Sequence, residues 1–333
     1  TQSESNRLYQ SKIFPQRGFI FDSNNILLVE NNIQQDLQIN PNLIENPNIF
    51  FKQISDLLEL DYKKIESDFY IRATEKNSKE PYFLIKDLSE KQIAKVSVNL
   101  EKIKGAEIIS SFSRSVIHKE VMAPVLGYMG NISKNDIFKN PELTKYKGLK
   151  IGKTGIEKDF DPFLRGEMGF RIQERDSYGR LIRNISLEPP KKGKDLKLSI
   201  DLELQKKLFY DFKGRKGALV AIEPKTGLIR ALISSPTFDP NILNTVNDND
   251  EVINLFSDKD SPLFNRAISG QYPPASTLKP FVGMAALEAK TISWEKEIFD
   301  SGEYLVEGDE RPYRGWKEGG HGKVDMKKAI VES

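Results

Sequence analysis

Prolines at 273, 274 and 280 bracket a serine and a lysine three positions apart, and no other stretch limits the fold so tightly. The segment reads Gln271-Tyr-Pro-Pro-Ala-Ser276-Thr-Leu-Lys279-Pro280. Pro273 and Pro274 fix the entry of the backbone, while Pro280 falls in a first helical turn, where a missing N–H costs little. Phe281, Val282, Met284, Ala285, Ala286 and Leu287 follow at helical spacing, so a loop must become a helix here with Ser276 and Lys279 on one face. A helix start favours developing negative charge. A lysine amine can take a serine proton where burial or neighbouring charge lowers its pKa. The pair therefore points to Ser276 as nucleophile and Lys279 as base. Spacing alone is a weak signal, because Ser293-Trp-Glu-Lys296 repeats it without the proline-rich entry.

At 333 residues the chain is long enough for two domains, each with its own core. Its 50 basic and 48 acidic residues are well mixed, for a net charge of +2, which argues against a nucleic-acid partner. With no cysteine, disulfides and thiolate metal sites are excluded. No apolar run reaches the roughly 18 residues that a membrane span needs.

Residues 1–48 read as extended segments, with Asn25 supplying the left-handed turn of a hairpin after Arg17-Gly-Phe-Ile-Phe-Asp22. Arg17 and Asp22 are structural in this reading. Residues 49–104 predict two amphipathic helices. Phe50, Phe51, Ile54, Leu57 and Leu58 face inward on the first; Ser89 caps the second, whose inner face is Ile93, Val96 and Leu100. His118, alone after a strand-like stretch, is structural. Strands are predicted over 218–222 and 228–234 about a Pro224–Gly227 turn, then a polar loop over 241–260, then the Ser276 helix. Asp325 is the N-cap of a helix over 326–332.

The stretch from Phe264-Asn-Arg-Ala-Ile through Tyr272-Pro-Pro-Ala-Ser276-Thr-Leu-Lys279-Pro resembles the nucleophile segment of the penicillin-binding proteins, with Ala275 in place of their usual glycine. The Arg17–Asn25 hairpin resembles the one that opens the non-catalytic region of the class B members. Gly152-Lys-Thr-Gly-Ile-Glu157 with Leu164-Arg-Gly166 resembles their pedestal, and Ser235-Pro-Thr-Phe-Asp-Pro-Asn241 a segment of their transpeptidase domain. Tyr313-Arg-Gly-Trp316-Lys-Glu-Gly-Gly-His321-Gly resembles the elongation subclass, the penicillin-binding protein 2 type. Two copies of Lys-Thr-Gly, at 153–155 and 225–227, spell a family motif. In the family, however, the functional copy lies C-terminal to the nucleophile, so neither is expected to bind substrate.

The resemblance implies an α+β fold. An elongated, mostly β pedestal would occupy 1–198, with 49–150 as its helical head. An N-terminal part of a β-lactamase-like transpeptidase domain, antiparallel sheet with helices, would occupy 199–333. It implies an acyl-serine D,D-transpeptidase acting on peptidoglycan stem peptides and trapped by β-lactams, with Ser276 and Lys279 catalytic and Ser333 in the place of the second-motif serine. The chain is expected to be truncated within the catalytic domain and not competent alone. Implied partners are a membrane SEDS-type glycosyltransferase and elongation scaffold proteins. The implied location is the periplasm, as the ectodomain of an inner-membrane protein whose anchor this chain lacks. Some elongation-type relatives use Asp, Asp, His and Cys for zinc; Asp300 and His321 match two of these, but Gly315 stands where another ligand is expected. Two ligands do not make a structural zinc site, so no metal or cofactor is assigned. A non-catalytic scaffold module, or a serine β-lactamase or β-lactam sensor, are the alternatives; the latter two would not need a pedestal.

Overall fold

The computed structural model describes residues 8–73, 81–175, 181–212, 214–245 and 250–332. Its contacts divide into two units, Thr1–Ser269 and Gly270–Ser333. The architecture is α+β throughout.

The first unit opens with β1 (Leu8–Ile13), β2 (Ile20–Phe21) and the long β3 (Leu27–Ile39). Between β2 and β3 the chain reverses at Asn25, whose φ of 65° is the left-handed geometry expected of it. Asp22, fully buried, holds this turn: its carboxylate accepts the N–H groups of Asn24 and Ile26, each at 2.7 Å, and of Leu202 at 3.2 Å. The hairpin is thereby tied to a segment 180 residues away.

Three helices and two strands follow: α1 (Pro47–Leu58), α2 (Tyr62–Ala73), β4 (Tyr82–Ile85), α3 (Glu90–Asn99) and β5 (Ala106–Val116). The inner face of α1 is as expected, with Phe50, Phe51, Ile54 and Leu58 buried and Leu57 packed beside them. They form a core with Leu37, Ile39, Val96 and Ile103, each large side chain stabilising by about 1.5–3 kcal/mol. Ser89 caps α3 through a reciprocal box with Gln92. Two readings need correction here. Leu100 is more than a third exposed, because it sits past the last turn of α3 rather than on its inner stripe. The helix α2 was not anticipated. β5 pairs antiparallel along β3 from Val29↔Val116 to Ile39↔Ala106, while β2 and β4 take the two ends of the other edge.

Next come α4 (Lys119–Leu126), β6 (Met129–Asn131), α5 (Lys134–Lys139), β7 (Lys150–Gly152), α6 (Gly155–Asp159) and α7 (Asp161–Arg165). His118 sits at the N-cap of α4 without a side-chain cap bond. β8 (Gly169–Arg175) lies between β1 and β9 (Leu181–Glu188) in a three-stranded antiparallel sheet. β10 (Leu196–Lys197) joins β2 in parallel, and α8 (Leu202–Phe212) leads into the hairpin of β11 (Gly217–Ile222) and β12 (Ile229–Ser235), with Gly227 at φ 74° in its turn. Residues 200–232 share one core with the early strands: Ile20, Leu28, Val29, Val116 and Met122 pack with Ile200, Leu202 and Leu232. That shared core is why the division by contacts falls after Ser269 and not near 198.

The stretch over 241–260 is not a polar loop. It holds α9 (Pro240–Thr245) and α10 (Asp250–Ser257), followed by α11 (Arg266–Ser269). Its polarity misled because two asparagines act as backbone surrogates. Asn241 Oδ1 accepts the Val116 N–H at 2.8 Å, and its Nδ2 donates to the Val116 carbonyl at 3.0 Å. Asn244 likewise accepts the Met129 N–H at 2.9 Å and donates to the Arg114 carbonyl at 3.3 Å. Each amide satisfies strand-end groups that burial would otherwise orphan.

The second unit contains a 3₁₀ turn, Ala275–Leu278, running directly into α12 (Lys279–Glu288). β13 (Ile298–Asp300), β14 (Glu303–Tyr304), β15 (Tyr313–Arg314) and β16 (Gly322–Val324) form two small antiparallel ladders, β13–β16 and β14–β15. α13 (Met326–Val331) is capped by Asp325, which accepts the Lys328 N–H at 2.7 Å. It packs on α12 where Gly283 faces Met326; a Cβ at Gly283 would stand 3.0 Å from the Met326 sulfur.

Candidate active site

The two early Lys-Thr-Gly copies are structural, and geometry shows why. In the first, a Cβ at Gly152 would lie 2.0 Å from the Glu157 carbonyl oxygen, and Gly155 has φ +59° against the Leu126–Gly127 backbone. Lys153 is paired with Asp136. Burial pushes the Asp136 carboxyl up, but Lys153 and Ser133 outweigh it and lower it to about 2. That lysine is therefore engaged. The second copy forms the β11–β12 turn, with Thr226 bonded to Glu223 at 3.0 Å.

Arg17 belongs to a buried ion cluster. Its Nε donates to Glu157 Oε2 at 2.7 Å, and Nη1 donates to Asp161 Oδ1 at 2.8 Å. Arg114 Nε donates to Glu157 Oε1 at 2.7 Å. Burial raises the Glu157 carboxyl, yet the two guanidiniums dominate and hold it below its ordinary value. All four side chains are buried, and no substrate can reach them. Arg17 and Asp22 are structural, as the sequence suggested; the Arg114–Glu157–Asp161 partnership was not anticipated, since its members are scattered along the chain.

Ser276 lies in the 3₁₀ turn and Lys279 begins α12, so the serine precedes the α-helix by three residues rather than starting it. The Lys279 N–H donates to the Ser276 carbonyl, which makes the segment continuous. In 3₁₀ geometry positions i and i+3 eclipse, which places the two side chains on one face. Both residues are exposed. No side-chain hydrogen bond joins them among the described residues. The neighbouring Thr277 hydroxyl donates to the Pro274 carbonyl, so of the two adjacent hydroxyls only that of Ser276 is left for chemistry. Ala275 has φ +46°, left-handed backbone at the position where a glycine was expected. Ser333 lies outside the described residues.

Asp300 and His321 do meet. Asp300 Oδ2 lies 2.8 Å from His321 Nδ1 and accepts the His321 N–H at 3.0 Å, while Oδ1 accepts the Gly302 N–H at 2.8 Å. The contact with His321, then these two N–H groups, lower the Asp300 carboxyl from its ordinary value. His321 Nε2 is buried with no hydrogen-bond partner and lies 4.0 Å from Glu332 Oε2. A zinc site needs about four ligands. Among the described residues no group of three or more His, Cys, Asp or Glu could hold a metal, and Gly315 offers no side chain. With two such ligands the described residues do not build a zinc site.

Against known families, the Penicillin-binding Protein dimerisation domain matches residues 12–198 and the Penicillin binding protein transpeptidase domain matches 217–333. The chain belongs to the penicillin-binding proteins that join these two domains. Its similarity runs to the penicillin-binding protein 2 group within them. It is 35% identical to the peptidoglycan D,D-transpeptidase MrdA of Acinetobacter baumannii, over 100% of this chain and 49% of that protein. The solved Pseudomonas aeruginosa PBP2 in complex with WCK 5153 is 28% identical, with a TM-score of 0.63 over 96% of this chain and 51% of that one. PBP2 from Helicobacter pylori, solved in complex with MreC, shares the fold at 23% identity, with a TM-score of 0.77 over 97% of this chain and 60% of that one. The chain spans about half the length of the curated relatives it matches. Among the described residues no helix is long and apolar enough to cross a membrane.

Proposed function

We propose that the whole protein is an elongation-type peptidoglycan D,D-transpeptidase with Ser276 as its nucleophile. The observation that carries this is the Ser276–Lys279 pair on one face of a continuous 3₁₀-to-α segment, within a chain of this family. Lys279 takes the Ser276 hydroxyl proton as the oxygen attacks the penultimate D-Ala carbonyl of a stem peptide. The new C–O bond forms and the C–N bond to terminal D-Ala breaks, its amine leaving with that proton. An amine on a second stem peptide then displaces Ser276 and closes the cross-link. Ser333, as the second-motif serine, belongs to the same proton path. A β-lactam follows the first half of this route and stays as an acyl ester.

Residues 1–198 act in this reading as the pedestal, with 49–150 as its head, and residues from 199 onward as the transpeptidase domain. The protein works in the periplasm as an ectodomain held to the inner membrane. Elongation scaffold proteins are its partners, a reading supported by the H. pylori complex with MreC, and so is a SEDS-type glycosyltransferase, which rests on the family resemblance alone.

The test is labelling of the full-length protein with a fluorescent penicillin. A lasting adduct, absent in Ser276→Ala, is the expected result. A folded protein that takes no label favours a scaffold role, and rapid turnover of the drug favours a hydrolase.

A further inference from the structure

We propose that Asn265 is a positioning residue for acyl transfer: its side-chain amide fixes α11, from which the chain runs on to Ser276, to the Pro124 carbonyl of α4. The inference rests on the reading of Ser276 given above.

α4 is a helix with a proline inside it. Pro124 has no N–H, so the Glu120 carbonyl one turn earlier loses its intrahelical donor. The carbonyls of the last turn lack such donors in any helix. Three side chains from beyond residue 198 donate to this helix. Thr237 Oγ1 reaches the Glu120 carbonyl at 3.1 Å, and Gln205 Nε2 the Val121 carbonyl at 2.8 Å. Asn265 Nδ2 reaches the Pro124 carbonyl at 2.7 Å, across 141 residues of chain. α4 lies in the stretch matched by the dimerisation domain, and Thr237 and Asn265 lie in that matched by the transpeptidase domain. The proline-interrupted helix is thus a post on which the second domain is hung.

Of the three donors, Asn265 stands nearest to Ser276 in sequence. Its Oδ1 accepts the Ala267 N–H at 3.2 Å, so one end of the amide caps α11 while the other end ties it to α4. An amide supplies both the acceptor and the donor that these two backbone groups require. Arg266, which is buried, secures the same turn: its N–H donates to Ser234 Oγ at 2.9 Å and its Nη2 to the Asp260 carbonyl at 2.6 Å. Past Ser269 the chain passes through Pro273 and Pro274, whose fixed φ angles leave this short connection little slack. A shift at α11 is therefore handed on towards Ser276 instead of being absorbed.

Asn265→Asp keeps the acceptor for Ala267 and loses the donor to Pro124. Asn265→Ser does the same without adding a charge. Asn244→Ala is the comparison, since it deletes two bonds that hold α9, to Met129 and Arg114, farther back along the chain. In the full-length protein, penicillin acylation is measured as a rate constant and a reversible affinity, alongside thermal melting. Both Asn265 variants should acylate about fivefold to tenfold more slowly, the scale of one hydrogen bond, with affinity unchanged. Asn244→Ala should acylate at the wild-type rate although it melts at least as early. Wild-type acylation in the Asn265 variants overturns the inference. So does an equal slowing in Asn244→Ala, since that is loss of stability alone. A wild-type protein that takes no label sinks the reading of Ser276, and this inference with it.

Discussion

Two charged regions of this molecule are built on opposite plans. At Glu157, two arginines and two carboxylates are buried together and nearly every donor is matched by an acceptor 2.7–3.0 Å away. At Ser276, a hydroxyl and an amine are set on one face of a turn and left exposed. Removing charges from water is costly unless they are paired, so the first arrangement can only serve the fold. The second leaves its polar groups accessible, which the fold does not need and a reaction does. Titratable residues at the two sites should therefore fail in different ways when altered.

The largest expected effect is at Lys279. Lys279→Ala in the full-length protein should slow penicillin acylation by about 10²–10⁴-fold, the usual contribution of a general base. The side chain is exposed in the chain of 333 residues, and there stability should change by no more than about 0.5 kcal/mol. A large loss of melting temperature would erase the contrast between the two regions.

Glu157→Gln should do the reverse. Arg114 would lose its counter-charge and Arg17 one of its two, at about 3–5 kcal/mol, read from urea unfolding. Acid should produce a related loss in the wild type. The folded pKa of Glu157 is depressed below its ordinary 4.5, so its contribution is complete above pH 4.5 and disappears as pH falls through the lower folded value. A wild type and a Glu157→Gln variant with identical pH dependence below 4.5 would show that the cluster does not titrate as a stabilising unit.

Local signals made much of this legible in sequence. The α1 stripe, the Ser89 and Asp325 caps, the left-handed Asn25 and the 217–235 hairpin all follow from periodicity or turn chemistry confined to a few residues. The order of motifs identified the family. What escaped was non-local or masked by polarity. Arg114, Glu157 and Asp161 carry no common pattern, because the cluster exists only once β5, α6 and α7 have packed. Asn241 and Asn244 look like loop residues until their amides are seen completing strand ends at Val116 and Met129. Trp316 was legible as part of a family motif, while its bond to the Glu332 carbonyl was not. One usable signal was passed over: Gly283 inside an apolar helix marks a close approach, here to Met326.

Gly283 gives a smaller effect within the second region. Gly283→Val would place branched carbon atoms where Met326 already lies 3.0 Å from a Cβ position, and overpacking of this kind costs about 1–3 kcal/mol. Acylation should fall with it, because the α12–α13 contact braces the helix that continues the Ser276 turn. Full acylation with an unchanged melting temperature would mean that the two helices need not touch for Ser276 to react.

The smallest expected effect sits beside Ser276. Ala275 is held at φ +46°, a left-handed conformation in which an L-residue pays about 1–2 kcal/mol. Glycine adopts it freely but brings greater disorder in the unfolded chain, at about 0.5–1 kcal/mol. Ala275→Gly should therefore stabilise by about 0.5–1 kcal/mol in urea unfolding, and leave acylation at Ser276 unchanged because neither reacting group moves. If the glycine variant is less stable than the wild type, the backbone before Ser276 is not left-handed. The entry that presents the hydroxyl is then built differently, and strain at Ala275 plays no part in exposing it.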